Sequence, residues 1–231
     1  MSRQADDIRH AYGTIAEEYA RRFASELDQK PLDRALLRAL VDETPADALI
    51  ADVGCGPGHV AAFLAAHGAH SLGVDLSPEM VGLARRLYPS VNFSVGDMLS
   101  LPAPDGAWGA MVVLYSVIHL EEDELPAACA EFERVLRPGG AALISFHGGT
   151  EVRHLDDWWG HSVSLDAHFR TAAAVSRALE GAGLHVEAQL ERDPYLAVEG
   201  PTTRIYLLAR KPPAANAGGD ITDIPDAANG A

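Results

Sequence analysis

The sequence predicts a doubly wound α/β fold: a mostly parallel seven-stranded sheet with an antiparallel C-terminal strand, preceded by helices. Three observations carry the prediction. Short apolar runs alternate with amphipathic helical segments through residue 146, the pattern of strands joined by crossover helices. A glycine-rich strand-to-helix turn, Ile50-Ala51-Asp52-Val53-Gly54-Cys55-Gly56-Pro57-Gly58-His59-Val60, stands at the first crossover. The last two strand-like runs are separated only by residues 193–203, too few for a helical crossover, so they pair antiparallel.

Taken in order, Ile8, Tyr12, Ile15, Tyr19 and Phe23 recur every three or four residues, a helical stripe in which Gly13 is expected to break or bend the helix. A second helix runs from Pro31, an allowed first-turn position, to Val41. Leu49 to Val53 is the first strand, and His59 to Ala66 the helix after the glycine turn. Ser71 to Asp75 is the second strand. Ser77-Pro78-Glu79 then begins a helix with a capping hydroxyl, a first-turn proline and an acid. Val91 to Val95 and Ala110 to Leu114 are the third and fourth strands, the latter apolar throughout as a strand buried on both faces must be. A helix over Leu125 to Leu136 stops at Pro138-Gly139-Gly140 before the strand Ala141 to Phe146. Thr171 to Glu180 is the last helix, and Leu184 to Leu190 and Arg204 to Ala209 the final strands. Residues 148–170 show no strong periodicity and read as an inserted cap loop. The stretch from Pro212 onward, rich in Pro, Ala, Gly and Asp without Lys or Arg, reads as a disordered tail.

Composition narrows the function. The formal charge of −15 opposes a phosphate-tracking nucleic-acid protein and docking on an anionic membrane. No apolar run approaches the roughly 18 residues of a membrane span. Met1 to Asp7 is polar and acidic, unlike a signal peptide. Only Cys55 and Cys129 are present, so a reducing, cytoplasmic setting is expected, without a disulfide framework. No Cys/His cluster has metal-ligand spacing, and no metal is expected.

Glycines at a strand-to-helix turn let backbone N–H groups approach a ligand, and the position marks a nucleoside-like cofactor at the carboxyl end of a parallel strand. With Asp52-x-Gly-x-Gly-x-Gly58, Gly73-Val74-Asp75-Leu76-Ser77-Pro78-Glu79-Met80, Gly96-Asp97-Met98 and Arg134-Val135-Leu136-Arg137-Pro138-Gly139-Gly140 in order, the chain resembles the class I S-adenosylmethionine-dependent methyltransferases of small-molecule type over roughly residues 10–210. Tyr12-Gly-Thr-Ile-Ala-Glu-Glu-Tyr19 resembles that family's lid segment. The resemblance implies a Rossmann-like sheet, a helical N-terminal lid over residues 1–44, a cofactor-binding domain over 45–211 with the cap at 148–170, and the tail at 212–231. It also implies S-adenosylmethionine as cofactor. Tyr12 and Tyr19 would lie in the lid, and Asp52 would orient the cofactor's ammonium or the turn's own N–H groups. Gly54, Cys55, Gly56 and Gly58 would admit the methionyl and ribose portions. Asp75 would accept from the ribose hydroxyls, and Asp97, after Gly96, from the adenine amino group, with the Met98 N–H on a ring nitrogen. Leu76 and Met80 would sandwich the adenine, and Leu114 and Ser116 would border the cofactor.

Acceptor groups would come from the ends of the fourth and fifth strands and from the inserted loops. Tyr115 and His119 follow the fourth strand, and His147 ends the fifth. An imidazole near its ordinary pKa of about 6.5 suits a general base, so His119 is the first candidate and His147 the second. The bland alternative for His119 is a histidine that fixes its loop through a backbone hydrogen bond. Trp158, beside Trp159, would wall an acceptor pocket or anchor the cap on the core. Tyr195, in Glu191-Arg192-Asp193-Pro194-Tyr195, would reach over the pocket unless those charges form a solvated turn. Trp108-Gly109 stands where relatives often carry an acid. The Asn/Asp-Pro-Pro-Tyr signature of amino-group methylation on DNA or protein is absent; Leu114-Tyr115-Ser116-Val117 takes its place. The expectation is methyl transfer to O or N of a small organic acceptor, in secondary-metabolite biosynthesis, by a monomer or homodimer with no nucleic-acid or membrane partner. Two alternatives stand beside it. One is an NAD(P)-dependent oxidoreductase, against which the third glycine falls one residue early. The other is a regulatory protein that binds S-adenosylmethionine without transferring its methyl.

Overall fold

The computed structural model describes residues 3–214. From residue 215 onward, the expected tail lies outside the described residues. In chain order the elements are α1 (Arg3–Phe23), α2 (Pro31–Glu43), β1 (Leu49–Val53), α3 (His59–Ala66), β2 (His70–Asp75), α4 (Pro78–Leu87), β3 (Asn92–Val95), β4 (Trp108–Leu114), α5 (Glu124–Val135), β5 (Leu136–His147), β6 (Val152–Trp158), β7 (His161–His168), α6 (Ala172–Gly181), β8 (His185–Arg192) and β9 (Arg204–Arg210). The main sheet has the order β3-β2-β1-β4-β5-β9-β8, with β9 antiparallel to both neighbours and the first five strands parallel. This is the doubly wound, Rossmann-like sheet expected, with its antiparallel strand at the C-terminal end. The winding reverses between β1 and β4, so the crevice for a ligand lies outside the carboxyl ends of those two strands.

One apolar layer joins the sheet to α5 and α6 through fully buried Phe132, Phe146, Ile144 and Leu179. The opposite layer joins it to α2 and α3 through Leu37, Leu40, Ile50 and Leu64. A helix start that works as its sequence predicts is α4: Ser77 Oγ accepts from the Met80 N–H, and Pro78 occupies the first turn.

Two local expectations differ. α1 passes through Gly13 without interruption. A Cβ there would lie 2.9 Å from Glu79 Oε2, the end of a flexible side chain on α4, so α1 runs past α4 here without a break. Residues 148–170 form a two-stranded antiparallel hairpin, β6–β7, instead of a loop. It closes on Trp159 (φ 56°) and Gly160 (φ 82°), two consecutive left-handed residues of the kind that match the strand twist of tight hairpins. In β7, Val163 and Leu165 alternate with exposed Ser162 and Ser164, and they pack on Ala11 and Ile15 of α1. α1 is therefore held on two sides, by α4 and by the hairpin.

Candidate active site

β1 feeds the glycine turn, in which Gly54 (φ 75°) and Gly58 (φ 87°) are both left-handed. A Cβ on Gly54 would stand 2.3 Å from the Ser116 Cβ, and Ser116 Oγ donates to the Val53 carbonyl, so the turn and the end of β4 lock together only with glycine here. The Gly54 and Cys55 N–H groups donate to the Val74 carbonyl at 2.8 and 3.0 Å. Asp75, ending β2, accepts from the Gly56 N–H at 2.7 Å and the Ser77 N–H at 2.8 Å, one on each carboxylate oxygen. Burial raises its pKa against the pull of these N–H groups. A carboxylate offers about four lone-pair sites, so Asp75 keeps capacity for ligand hydroxyls.

A cleft of about 110 Å³ lies over the carboxyl ends of these strands. Tyr12 and Tyr19 of α1, Gly54, Gly56, Asp75, Leu76, Gly96, Asp97, Met98, Leu114 and Ser116 all line it, as expected of the cofactor site. Asp97 Oδ1 accepts from the Leu99 N–H, which orients the carboxylate at the end of β3. The donor set fits the cofactor that the resemblance implies. It offers two carboxylates for hydroxyls and an amino group, apolar Leu76, Met98 and Leu99 for a flat ring, and two tyrosine rings suited to a cationic sulfur.

Four expected cofactor residues stand elsewhere. Gly58 faces away from the cleft: a Cβ there would meet Phe93 and Ala84 within 2.7 to 2.9 Å, so it serves the packing of α3 on β3 and α4. Met80 is fully buried beneath α1 with Ala16, Ala20 and Leu83, shielded from any ring in the cleft. Asp52 and Cys55 line the adjoining cavity. Asp52 is 2% exposed and accepts from the Ala61 N–H, fastening α3 to β1, where an N–H of the glycine turn itself was expected. Burial, opposed by His59 and that N–H, pushes its carboxyl up to about 7.

The cleft opens into a larger cavity of about 520 Å³. Tyr12, Tyr19, Gly54, Gly56, Leu114, Tyr115 and His119 line both. His119 sits in this shared wall. Its Nδ1 lies 3.0 Å from the Asp166 carbonyl and its Nε2 2.7 Å from the Tyr12 hydroxyl. A carbonyl can only accept, so Nδ1 carries the proton and Nε2 receives the tyrosine O–H. Burial lowers His119 to about 4, so it is neutral at pH 7. The backbone hydrogen bond and the polar contact at the cleft are thus both present in one residue.

His147 lines only the larger cavity. Arg204 Nη1 donates to its Nδ1 at 2.9 Å, and Thr202 Oγ1 stands 2.9 Å from the same atom. Nε2 therefore carries the proton. Burial, then Arg204, lowers His147 to about 3. Its acceptor nitrogen is committed, so this imidazole serves as an N–H donor and is a poor base. Trp158 lines the cavity and meets Tyr12 and Tyr19 edge-on at 5.5 and 6.0 Å; Trp159 packs on Phe23 with Arg22 over its ring. The paired tryptophans form a wall and an anchor at once. Tyr195 lines neither cavity: its ring lies 4.1 Å from the Arg192 guanidinium.

That arginine belongs to a buried network that sequence reasoning missed. Arg192 donates to both oxygens of Glu199 (2.7 and 2.9 Å), to Asp33 (3.0 Å) and to the Tyr206 hydroxyl. Lys30 pairs with Glu26 at 2.7 Å and reaches Glu199 at 3.5 Å, and His59 meets Glu26 at 3.0 Å. Burial would raise Glu199, but Arg192, the Tyr195 N–H, Lys30 and Arg204 bring it down to about 2. Arg192 and Tyr206 are carried to this edge by β8 and β9, which bring Arg192, Arg204 and His147 into register. In sequence these charges lie far apart, and only Arg192 could have been flagged, as a charge near a strand end. Among the described residues no group of three His, Cys, Asp or Glu side chains could hold a metal ion, and no helix is long and apolar enough to cross a membrane.

Comparison with known proteins bears on this geometry. The profile of a methyltransferase-domain family matches residues 50–140. The malonyl-(acyl-carrier protein) O-methyltransferase of Serratia marcescens is 34% identical over 109 residues, 47% of this chain and 42% of that protein. The demethylmenaquinone methyltransferase of Chlorobaculum parvum is 40% identical over 96 residues, 41% of this chain and 39% of that one. The chain therefore spans about two fifths of the length of these curated relatives. Among solved structures, an S-adenosylmethionine-dependent methyltransferase of Methanosarcina mazei superposes with a TM-score of 0.69 at 18% identity, covering 76% of this chain and 98% of that one. The magnesium protoporphyrin IX methyltransferase of Synechocystis, solved with S-adenosylmethionine bound, superposes with a TM-score of 0.69 at 18% identity over 91% of this chain and 98% of that one. At such identities the structures speak for the fold alone. The glycine turn, Asp75 and Gly96-Asp97 all fall inside the stretch that the family profile matches. Residues 50–140 thus match a methyltransferase domain, the chain has the fold of S-adenosylmethionine-dependent methyltransferases, and the cofactor that these similarities support is S-adenosylmethionine.

Proposed function

We propose that this protein transfers the methyl of S-adenosylmethionine to an oxygen or nitrogen of a small organic acceptor held in the larger cavity, as a tailoring step in secondary metabolism. One observation carries the reading: Tyr12, Gly54, Leu114, Tyr115 and His119 are at once the wall of the cofactor cleft and of the cavity beside it, so the two ligands would meet there. When bound, the cofactor supplies a methyl already activated on a sulfonium, and the chain's task is positioning, exclusion of water and management of one proton. Alignment of an acceptor about 3–3.5 Å from the methyl supplies a large part of such an acceleration. The cleft at the switch point sets one partner, and the hairpin wall of Leu155, Trp158 and Leu165 sets the other.

Tyr12 and His119 would handle the proton. Tyr12 lines both spaces and its hydroxyl donates to His119 Nε2, so a proton leaving an acceptor hydroxyl held at Tyr12 would pass through the phenol to the imidazole. The Asp166 carbonyl on Nδ1 would stabilise the imidazolium that results. His119 is thus the proposed base, acting through Tyr12, and His147 a donor to the acceptor. α1 would act as the lid over both ligands, consistent with its seat between α4 and the hairpin. The test is incubation with methyl-labelled S-adenosylmethionine and a panel of phenols, amines and carboxylic acids. Formation of S-adenosylhomocysteine and a labelled product is expected with at least one acceptor. Binding of the cofactor without transfer to any would instead favour a regulatory protein.

A further inference from the structure

The wall of the larger cavity away from the cofactor cleft is a stacked column of rings and cations. The Arg153 guanidinium lies 4.3 Å over the Phe169 ring. Phe169 stacks on His147 at 5.2 Å, and His147 lies tilted by 35° against Tyr115 at 5.2 Å. Lys30 Nζ and the Arg204 guanidinium each lie 5.5 Å from the Tyr115 ring. All of these residues line the one cavity.

The carboxylates along this wall are each engaged by partners of their own. Glu26 faces Lys30 and His59, and Asp33 faces Arg192 and Tyr206. Glu199, already gripped on both oxygens by Arg192, is shared with Lys30 and Arg204, each at 3.5 Å. Arg204 is 4% exposed, yet its hydrogen bonds go to neutral acceptors: the Thr202 carbonyl and hydroxyl, the Gly200 carbonyl and His147 Nδ1. Among the described residues its Nη2, with two hydrogens, makes one hydrogen bond, at 3.3 Å. A buried guanidinium held mainly by neutral groups gains from a further anion. The same arginine commits His147 Nδ1, so that the His147 Nε2–H is left as a donor on the column. Arg153, half-exposed on β6, adds a second guanidinium, paired among the described residues with Glu151.

We propose that the acceptor carries an anionic group, a carboxylate or a phosphate monoester, on an apolar ring-bearing body. The anion would sit against Arg204 and the His147 Nε2–H, with the Arg153 guanidinium across the Phe169 ring adding its charge, and the body against Leu155, Trp158 and Leu165. This rests on the reading of the larger cavity as the acceptor site. It goes beyond that reading in assigning the acceptor's charge and the residues that select it.

The experiment uses three probes with one body, 1-naphthylacetate, its primary amide and 1-naphthyl phosphate. Each is titrated by calorimetry into the full-length protein with and without saturating S-adenosylhomocysteine. At least one anion is expected to bind about tenfold more tightly than the amide, and the tighter of the two identifies the headgroup. Arg153→Gln, chosen because a half-exposed side chain can be changed without disturbing the core, is expected to remove most of that preference while leaving the amide's affinity unchanged. His147→Gln, which keeps an N–H donor, is expected to retain more of it than His147→Phe. Equal affinity for amide and anions overturns the proposal, as does an equal loss for all three probes in Arg153→Gln. Failure of every probe to bind below about 10 mM overturns it as well. The S-adenosylhomocysteine titration is scored separately: its failure would sink the methyltransferase reading, while the ratio of anion to amide measured without it still decides this one.

Discussion

Asp52→Asn is a perturbation whose sign and size follow from the structure. Asp52 is 2% exposed, and its folded pKa is raised from 3.8 to about 7, chiefly by burial. An acid whose folded pKa exceeds its unfolded value binds more protons when folded, so its contribution to stability is lost as pH rises from the unfolded pKa to the folded one. Over roughly three pKa units that loss is about 4 kcal/mol, and roughly 2.5 kcal/mol of it falls between pH 5 and pH 8. Asparagine cannot ionise, and its amide oxygen can still accept from the Ala61 N–H. The cofactor-free variant should therefore gain on the natural protein by roughly 2 to 3 kcal/mol as pH goes from 5 to 8, other titrating groups cancelling in the difference. Urea unfolding of both proteins at pH 5, 6, 7 and 8 measures it. A stability difference that stays constant with pH would show that Asp52 ionises normally in its buried place and would refute the argument.

Other outcomes follow from the same contacts. Asp75→Ala should weaken S-adenosylhomocysteine binding at least about tenfold by calorimetry, since it would lose both the acceptor proposed for the ligand's hydroxyls and the clasp on the Gly56 and Ser77 N–H groups. Tyr12→Phe and His119→Ala should each lower kcat by about 100-fold with a proton-bearing acceptor, with smaller effects on cofactor affinity; His147→Ala should chiefly raise KM for the acceptor. A kcat unchanged in both Tyr12→Phe and His119→Ala would remove the proton route. Gly13→Ala should be near neutral in thermal unfolding, because the helix gains up to about 1 kcal/mol and the group it meets is the end of the flexible Glu79 side chain. Gly54→Ala should abolish cofactor binding and lower the melting temperature, because its Cβ meets Ser116 in a left-handed turn.

The cleft proposed for the cofactor was legible in sequence because its parts are local. A strand, a bend and a helix start lie within a dozen residues, and Asp75 and Asp97 each end the next strand along. Eleven of the residues expected there line the cleft. Gly58 and Met80 misled because a turn glycine and a first-turn methionine look the same whether they face a ligand or a neighbouring helix. β7 was legible in principle: Ser162-Val163-Ser164-Leu165 alternates, but its neighbours are rich in His and Asp, which obscured the period.

From the chain alone came the order of strands and helices, the place of the turn and the carboxylates that follow β2 and β3. Each is set by hydrophobic period, turn residues and caps acting over a few neighbours. Only the tertiary structure decided what lies beside them. Antiparallel pairing of β9 with β5 and β8 sets Arg204 opposite both His147 and Arg192, and the hairpin places Asp166 on His119 and Arg153 over Phe169. The tautomers of both histidines, and the division of Glu199 among three cations, arise from partners scattered from Tyr12 to Arg204. Such contacts leave no local pattern, because strand register and helix docking, not sequence neighbourhood, bring their atoms together.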